Sequence, residues 1–139
     1  HKNILFSLRA MACLPRLAID RVEAKPLGDG VFEVSGVLRN LGFLPSFGSY
    51  QSQVLCKAEP LTVEVTGASS VVGKAKAELG HLEGRSGATG GFWMGYFRGA
   101  PSLREHRVSW VVTGKVGDTI TVKASGPRAG TAEAKVTLA

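Results

Sequence analysis

The sequence predicts an all-β fold: an immunoglobulin-like two-sheet β-sandwich of about seven or eight strands, preceded by one short N-terminal α-helix. Apolar and polar residues alternate over much of the chain, as they do in strands with one buried face. The 18 glycines among 139 residues stand mostly singly between these stretches, where short strands need turns. The length suits one domain. A closed barrel would bury the same pattern and stays open as an alternative.

The first element is a short amphipathic helix. Its apolar side chains recur at the i, i+4, i+7 spacing of one helical face. They are Ile4, Leu8 and Met11, and Leu5 and Ala12 lie beside them. Asn3 is a suitable N-cap, and Pro15 ends the run. We therefore divide the chain into a helical segment, residues 1–15, and a β-sandwich domain, residues 16–139.

From Leu17 onward the apolar period changes to two, which is typical of half-buried antiparallel strands. Turn-forming residues separate these stretches at 28–30, 67–70, 114–118 and 125–127. The rows predicted to face the core are Phe32, Val34, Gly36 and Leu38; Leu61, Val63 and Val65; Val108, Trp110 and Val112; Ile120, Val122 and Ala124; and Ala132, Ala134, Val136 and Leu138.

The formal charge of +6 is spread along the chain. Basic residues run from Lys2 to Lys135 at nearly even intervals with acidic residues between them, and no aromatic and basic stacking pattern accompanies them. We therefore expect a mixed, solvated surface without a basic cluster, and no nucleic-acid partner. No stretch approaches the roughly 20 apolar residues of a membrane helix, so no membrane span is expected.

The two cysteines, Cys13 and Cys56, are too few for a disulfide framework. They can pair only if the fold brings their Cα atoms within about 7 Å. We favour two free thiols, and pairing stays open.

No catalytic constellation is evident. A zinc hydrolase needs about three His or carboxylate ligands and a bound water. His81 lies near Glu83, and His106 follows Glu105, but no third ligand is evident. There is no Gly-x-Ser-x-Gly nucleophile turn, and the glycine spacing in residues 67–74 does not match a phosphate loop. We expect no catalytic residue, metal site or cofactor in this chain, and no enzymatic activity of its own.

An aromatic segment is the first candidate for a binding surface. It contains Phe92, Trp93, Tyr96 and Phe97. Exposed Trp and Tyr side chains can stack against sugar rings or anchor a protein partner. A strand that packs against a neighbouring domain would need the same residues, and domain packing is our preferred interpretation.

The turn at residues 40–46 is the second candidate. Asn40 can cap it with its side chain, and glycine at position 42 permits a positive φ. Phe43 and Leu44 could then cover a sheet edge or an adjoining domain. The turn is interpreted as a structural corner.

Three stretches, residues 37–46, 79–85 and 117–138, lie in an order and spacing that extend over nearly the whole chain. Together they resemble the β-sandwich domain that follows the catalytic domain in a group of bacterial zinc carboxypeptidases related to carboxypeptidase A. The resemblance implies a non-catalytic accessory C-terminal domain of a zinc-dependent metallocarboxypeptidase. The helix before Pro15 would then be the tail of the catalytic domain.

The same resemblance implies where the chemistry and the partners lie. The family's zinc ligands include His-x-x-Glu, whereas His81 and Glu83 are one residue too close here. Zinc would therefore belong to the preceding catalytic domain, which is the expected partner on the same polypeptide, with peptide substrate as a further candidate. The implied location is secreted or periplasmic.

Two other functions stay open. One is a stand-alone binding module for carbohydrate or a cell-surface partner, which would use Trp93 and Tyr96. The other is a small hydrolase that would use His81, Glu83 and Glu105.

Overall fold

The computed structural model describes residues 2–55, 59–85 and 104–139. Two four-stranded antiparallel sheets form, with strand orders β1-β2-β6-β4 and β5-β3-β7-β8. The all-β sandwich with a short N-terminal helix is therefore confirmed. The elements are α1 (Lys2–Ala12), β1 (Leu17–Gly28), β2 (Val31–Asn40), α2 (Tyr50–Val54), β3 (Leu61–Thr66), β4 (Ser70–Val72), β5 (Lys76–Gly80), β6 (Glu105–Thr113), β7 (Thr119–Gly126) and β8 (Gly130–Thr137).

The core lies between the inner faces of the two sheets. Strand β2 alternates strictly between half-buried and buried positions, as its sequence predicts. The predicted rows on β3, β6 and β7 also face the core. The row on β8 is only half-buried up to Val136, because β8 is an edge strand, and it reaches full burial at Leu138. The largest fully buried side chains are Val34, Leu38, Leu61, Val63, Leu82, Val112, Ile120, Val122 and Leu138.

The two sheets approach each other along their edges. Beside β8, the backbone N–H of Leu17 donates to the carbonyl of Ala129 at 3.3 Å. On the opposite side the chain passes from β4 in one sheet to β5 in the other. This hydrogen bond and this crossover of the chain connect the two sheets on opposite sides of the core.

Strand β1 contains an irregularity between Asp20 and Glu23, where its register against β2 shifts. Arg21 adopts a φ of 52° at this point. That value lies in the left-handed region, which residues other than glycine rarely adopt. The bulge therefore stores local strain in an exposed residue.

The helices lie outside the two sheets. Helix α1 was predicted, and every residue from Asn3 to Ala12 is exposed. Helix α2 was not predicted, since its five residues are too few to show a helical period. Its start is capped by Ser49, whose Oγ accepts from Ser52 N at 3.2 Å.

Among the helices that the structure describes, none combines the length and the apolar character needed to cross a bilayer.

Candidate functional site

A buried amide organises one corner of the β1-β2-β6-β4 sheet. Asn40 ends β2 and is 5% exposed. Its Oδ1 accepts hydrogen bonds from Arg16 N at 3.0 Å and Gly42 N at 2.9 Å. Its Nδ2 donates to Leu44 O at 2.9 Å. The predicted side-chain cap is confirmed, and the backbone N–H of Asn40 also donates to Arg104 O at 3.3 Å.

Two glycines let backbones pack closely at this corner. Gly42 does not use the positive φ that glycine permits, since it is not among the residues with φ in that region. Glycine is required there because a Cβ would lie 2.6 Å from the Cα of Pro15 and 2.9 Å from Arg16 N. A Cβ on Gly84 would lie 2.6 Å from the carbonyl carbon of Leu44. Close approach, and not backbone conformation, selects these two glycines.

Hydrogen bonds attach the segment after β5 to the same corner. Ser46 N donates to Leu82 O at 2.9 Å, and Leu82 N donates to Ser46 Oγ at 2.9 Å. Arg85 N donates to Gly42 O at 3.1 Å. Because Leu82 is also 2% exposed, the segment is anchored by both packing and hydrogen bonds. Its last described residue, Arg85, is thereby held beside Asn40.

The corner carries a surface pocket of about 410 Å³, which we call the arginine pocket. Its lining residues come from four separate parts of the chain. They are Arg16, Arg39, Asn40, Leu41, Arg85, Arg104 and Glu105. The expectation that the basic residues form no cluster is therefore wrong at this corner. Even spacing along the chain conceals it, since tertiary packing brings distant arginines together.

The charges in the pocket are unevenly compensated. Arg39 Nη1 lies 3.3 Å from Asp20 Oδ2, and Arg39 Nη2 pairs with Glu105 Oε1. The hydrogen bond and the negative charge of Glu105 raise the pKa of the Arg39 guanidinium above its ordinary value, with Asp20 acting in the same direction. Within the described ranges, three further guanidinium groups of the lining have no acidic partner. They belong to Arg16, Arg85 and Arg104.

The net formal charge of this group is therefore positive. Four arginines, less Glu105 and Asp20, leave a charge of +2. Guanidinium groups bind carboxylates and phosphates through paired hydrogen bonds. The chemistry that this set of side chains offers is recognition of an oxyanion.

The aromatic candidates from the sequence lie outside the described residues. They are Phe92, Trp93, Tyr96 and Phe97. Phe43 and Leu44 lie at the corner itself. Phe43 is 48% exposed, whereas Leu44 is half-buried and donates from its N–H to Cys13 O at 2.9 Å. A binding role for these six residues stays a prediction.

The other candidate groups are dispersed. The His81 ring contacts the Phe47 ring edge-on, with centroids 5.8 Å apart, and its buried Nδ1 has no partner in the described part of the chain. Glu105 forms an ion pair with Arg39. No group of three or more His, Cys, Asp or Glu side chains that could hold a metal ion occurs among the described residues. Cys13 is half-buried with a free thiol, and Cys56 lies outside the described ranges.

A second exposed surface lies on α1. Its large apolar side chains are each 55–74% exposed. They are Ile4, Leu5, Phe6, Leu8 and Met11. We call Ile4, Leu5, Leu8 and Met11, which share one stripe of the helix, the α1 apolar face. An isolated helix of this length is marginal in water.

The fold and its corner define a two-sheet β-sandwich with a basic pocket. The chain belongs to the family described as Domain of unknown function (DUF8731), which it matches over residues 16–137. Helix α1 precedes the matched range. None of the curated protein sequences matches this chain.

One similar solved structure is the crystal structure of Bifidobacterium adolescentis GH3 beta-glucosidase. Its sequence is 16% identical to this chain, and the TM-score is 0.34. The similarity covers 89% of this chain and 17% of that chain, so this chain spans about a sixth of the length of the glucosidase.

Proposed function

We propose that this chain is a non-catalytic accessory β-sandwich that packs against a neighbouring domain of the same polypeptide through the α1 apolar face. The resemblance to the β-sandwich domain of bacterial zinc carboxypeptidases extends the proposal. The neighbour is then the catalytic domain of a zinc-dependent metallocarboxypeptidase in a secreted or periplasmic protein. Zinc and the peptidase chemistry then belong to that neighbour, and this chain supports it or helps to present peptide substrate.

The observation that carries the proposal is an amphipathic helix whose apolar side chains are exposed in the described part of the chain. Helix α1 precedes the range that the family shares, and its residues from Asn3 to Ala12 are all exposed. Full burial of a large apolar side chain is worth about 1.5–3 kcal/mol. Covering the four side chains of the α1 apolar face would therefore stabilise an otherwise marginal helix. A domain joined to the helix can provide that cover at high effective concentration.

The junction between α1 and the sandwich supports the same arrangement. Leu44 N bonds to the carbonyl of Cys13, one residue beyond α1, so the helix leaves the sandwich at the Asn40 corner. Leu14 and Phe43, which are 50% and 48% exposed, extend the apolar surface around this junction. A neighbouring domain that covers α1 would meet this corner as well.

A charge placed on the α1 apolar face tests the packing. In the full-length polypeptide, we expect Leu8→Lys to uncouple the sandwich from its neighbour, giving two separate unfolding transitions in calorimetry and faster proteolysis near α1. The matched control is Ala10→Lys, which adds the same charge to the same helix away from the stripe. Equal behaviour of the two variants in the full-length protein would contradict the proposed packing.

Assays of peptidase activity test whether the neighbouring domain is a zinc-dependent metallocarboxypeptidase. We expect zinc-dependent release of C-terminal amino acids by the full-length polypeptide and none by the 139-residue chain. Release by the 139-residue chain alone would show that the chain is itself an enzyme. Saturable quenching of tryptophan fluorescence by a glycan, with no coupling to a neighbouring domain, would favour the stand-alone binding module instead.

A further inference from the structure

We propose that the arginine pocket binds a small organic oxyanion with two negative charges, such as a phosphate monoester or a dicarboxylate. This inference does not depend on the proposed packing of α1.

The first argument is charge. The guanidinium groups of Arg16, Arg85 and Arg104 are uncompensated in the described part of the chain, while Arg39 is held by two carboxylates. Like charges around one concave surface repel each other, and the attraction of an anion bound between them offsets that repulsion. The remaining charge of +2 matches a dianion.

The second argument is positioning. The backbones of Arg16 and Arg104 are both hydrogen-bonded to Asn40, and the backbone of Arg85 is hydrogen-bonded to Gly42. Their Cα positions are therefore set by one buried network. Glu105 and Asp20 orient the Arg39 guanidinium at the pocket wall. A site whose groups are positioned beforehand loses less entropy when a ligand binds.

The third argument is size and shape. The pocket of about 410 Å³ lies within the range of small-molecule sites, roughly 300–1,000 Å³. A bare inorganic ion would fill only a small part of it, which favours an organic anion. A nucleic acid would be expected to follow an extended basic stripe, whereas these charges surround one pocket.

The exposed arginines Arg16 and Arg85 provide suitable test variants, because their side chains take no part in the core. Arg16→Gln and Arg85→Gln each remove one charge and keep a long polar side chain. Lys135→Gln is the matched control, since Lys135 is exposed on β8 and does not line the pocket.

Calorimetric titration of the 139-residue chain at low salt measures the effect, with glycerol 3-phosphate and succinate as dianions, acetate as a monoanion and glycerol as a neutral compound. We expect saturable binding of at least one dianion, weakened about tenfold by either arginine variant and unchanged by the control. We also expect acetate to bind at least about tenfold more weakly than that dianion, and added salt to weaken binding. The two dianions separate phosphate from dicarboxylate recognition.

Three results would overturn the proposal. The first is no binding of either dianion at millimolar concentration. The second is an equal loss of affinity in Lys135→Gln and Arg85→Gln, which would show a general electrostatic attraction. The third is tighter binding of a single-stranded oligonucleotide than of either dianion, which would indicate a nucleic-acid surface. None of these results bears on the calorimetric coupling of α1 to a neighbouring domain, so the two proposals fail separately.

Discussion

At the scale of single residues, one buried amide connects the end of β2 and the turn that follows it with the residue that precedes β1. Asn40 satisfies the N–H groups of Arg16 and Gly42 and the carbonyl of Leu44. Its role as a cap could be predicted, because Asn side chains commonly bond to nearby backbone groups in turns. The bond to Arg16, 24 positions away, could not, because it depends on how β1 and β2 pair.

Removal of this amide should weaken the whole domain. We expect Asn40→Ala to lower the free energy of unfolding by about 2–4 kcal/mol, because it leaves several buried backbone groups without partners. Urea denaturation followed by tryptophan fluorescence measures this. Ser35→Ala on the same strand is the control, since no side-chain hydrogen bond of Ser35 occurs in the described structure, and it should change stability by less than about 0.5 kcal/mol. Similar urea midpoints for the two variants would show that the Asn40 network contributes little.

At the scale of secondary-structure elements, the period of apolar residues predicts which positions face the core, provided that one face of the element is buried. Strands β2, β3, β6 and β7 follow the predicted rows because each has one face against the core. Strand β4 has three residues and α2 has five, so neither shows a usable period. The bulge in β1 could not be predicted from the sequence either, since Arg21 is not a residue type that favours positive φ.

The strained conformation in β1 gives a prediction at this scale. We expect Arg21→Val to destabilise the domain by about 1–2 kcal/mol, because a β-branched side chain is poorly accommodated at positive φ. Arg21→Gly should leave stability unchanged or raise it slightly, because glycine adopts this φ without a steric cost. Thermal unfolding of the two variants should therefore give a lower Tm for the valine variant. The reverse order would mean that β1 does not hold this φ in solution.

At the scale of the whole molecule, the sandwich and α1 are separable in energetic terms. The core is formed by residues of the two sheets together with Leu82, Ala129 and Leu138, and none of the described side chains of α1 belongs to it. The range shared with the family, residues 16–137, has the same limit at its N-terminal side. The stability of the sandwich should therefore depend on the corner and not on the helix.

Two truncations test this separation. Deletion of residues 1–12 should change the free energy of unfolding of the 139-residue chain by less than about 0.5 kcal/mol, because the side chains from Asn3 to Ala12 are all exposed. Deletion of residues 1–16 should cost more, about 2 kcal/mol or above, because it also removes the groups that bond to Asn40 Oδ1 and Leu44 N. Chemical denaturation of both proteins provides the comparison. An equal loss in both would show that α1 itself stabilises the sandwich.

The sequence by itself determined the all-β class, the inward rows of the main strands and the amphipathic helix before Pro15. These features follow from the alternation of side chains along a strand and the 3.6-residue period of a helix, which are local properties of the backbone. Only the tertiary structure decided that Arg16, Arg39, Arg85 and Arg104 surround one pocket. Their meeting depends on strand pairing and on the close packing at Gly42 and Gly84, which join residues far apart in the chain. Such contacts cannot be predicted from a local sequence pattern.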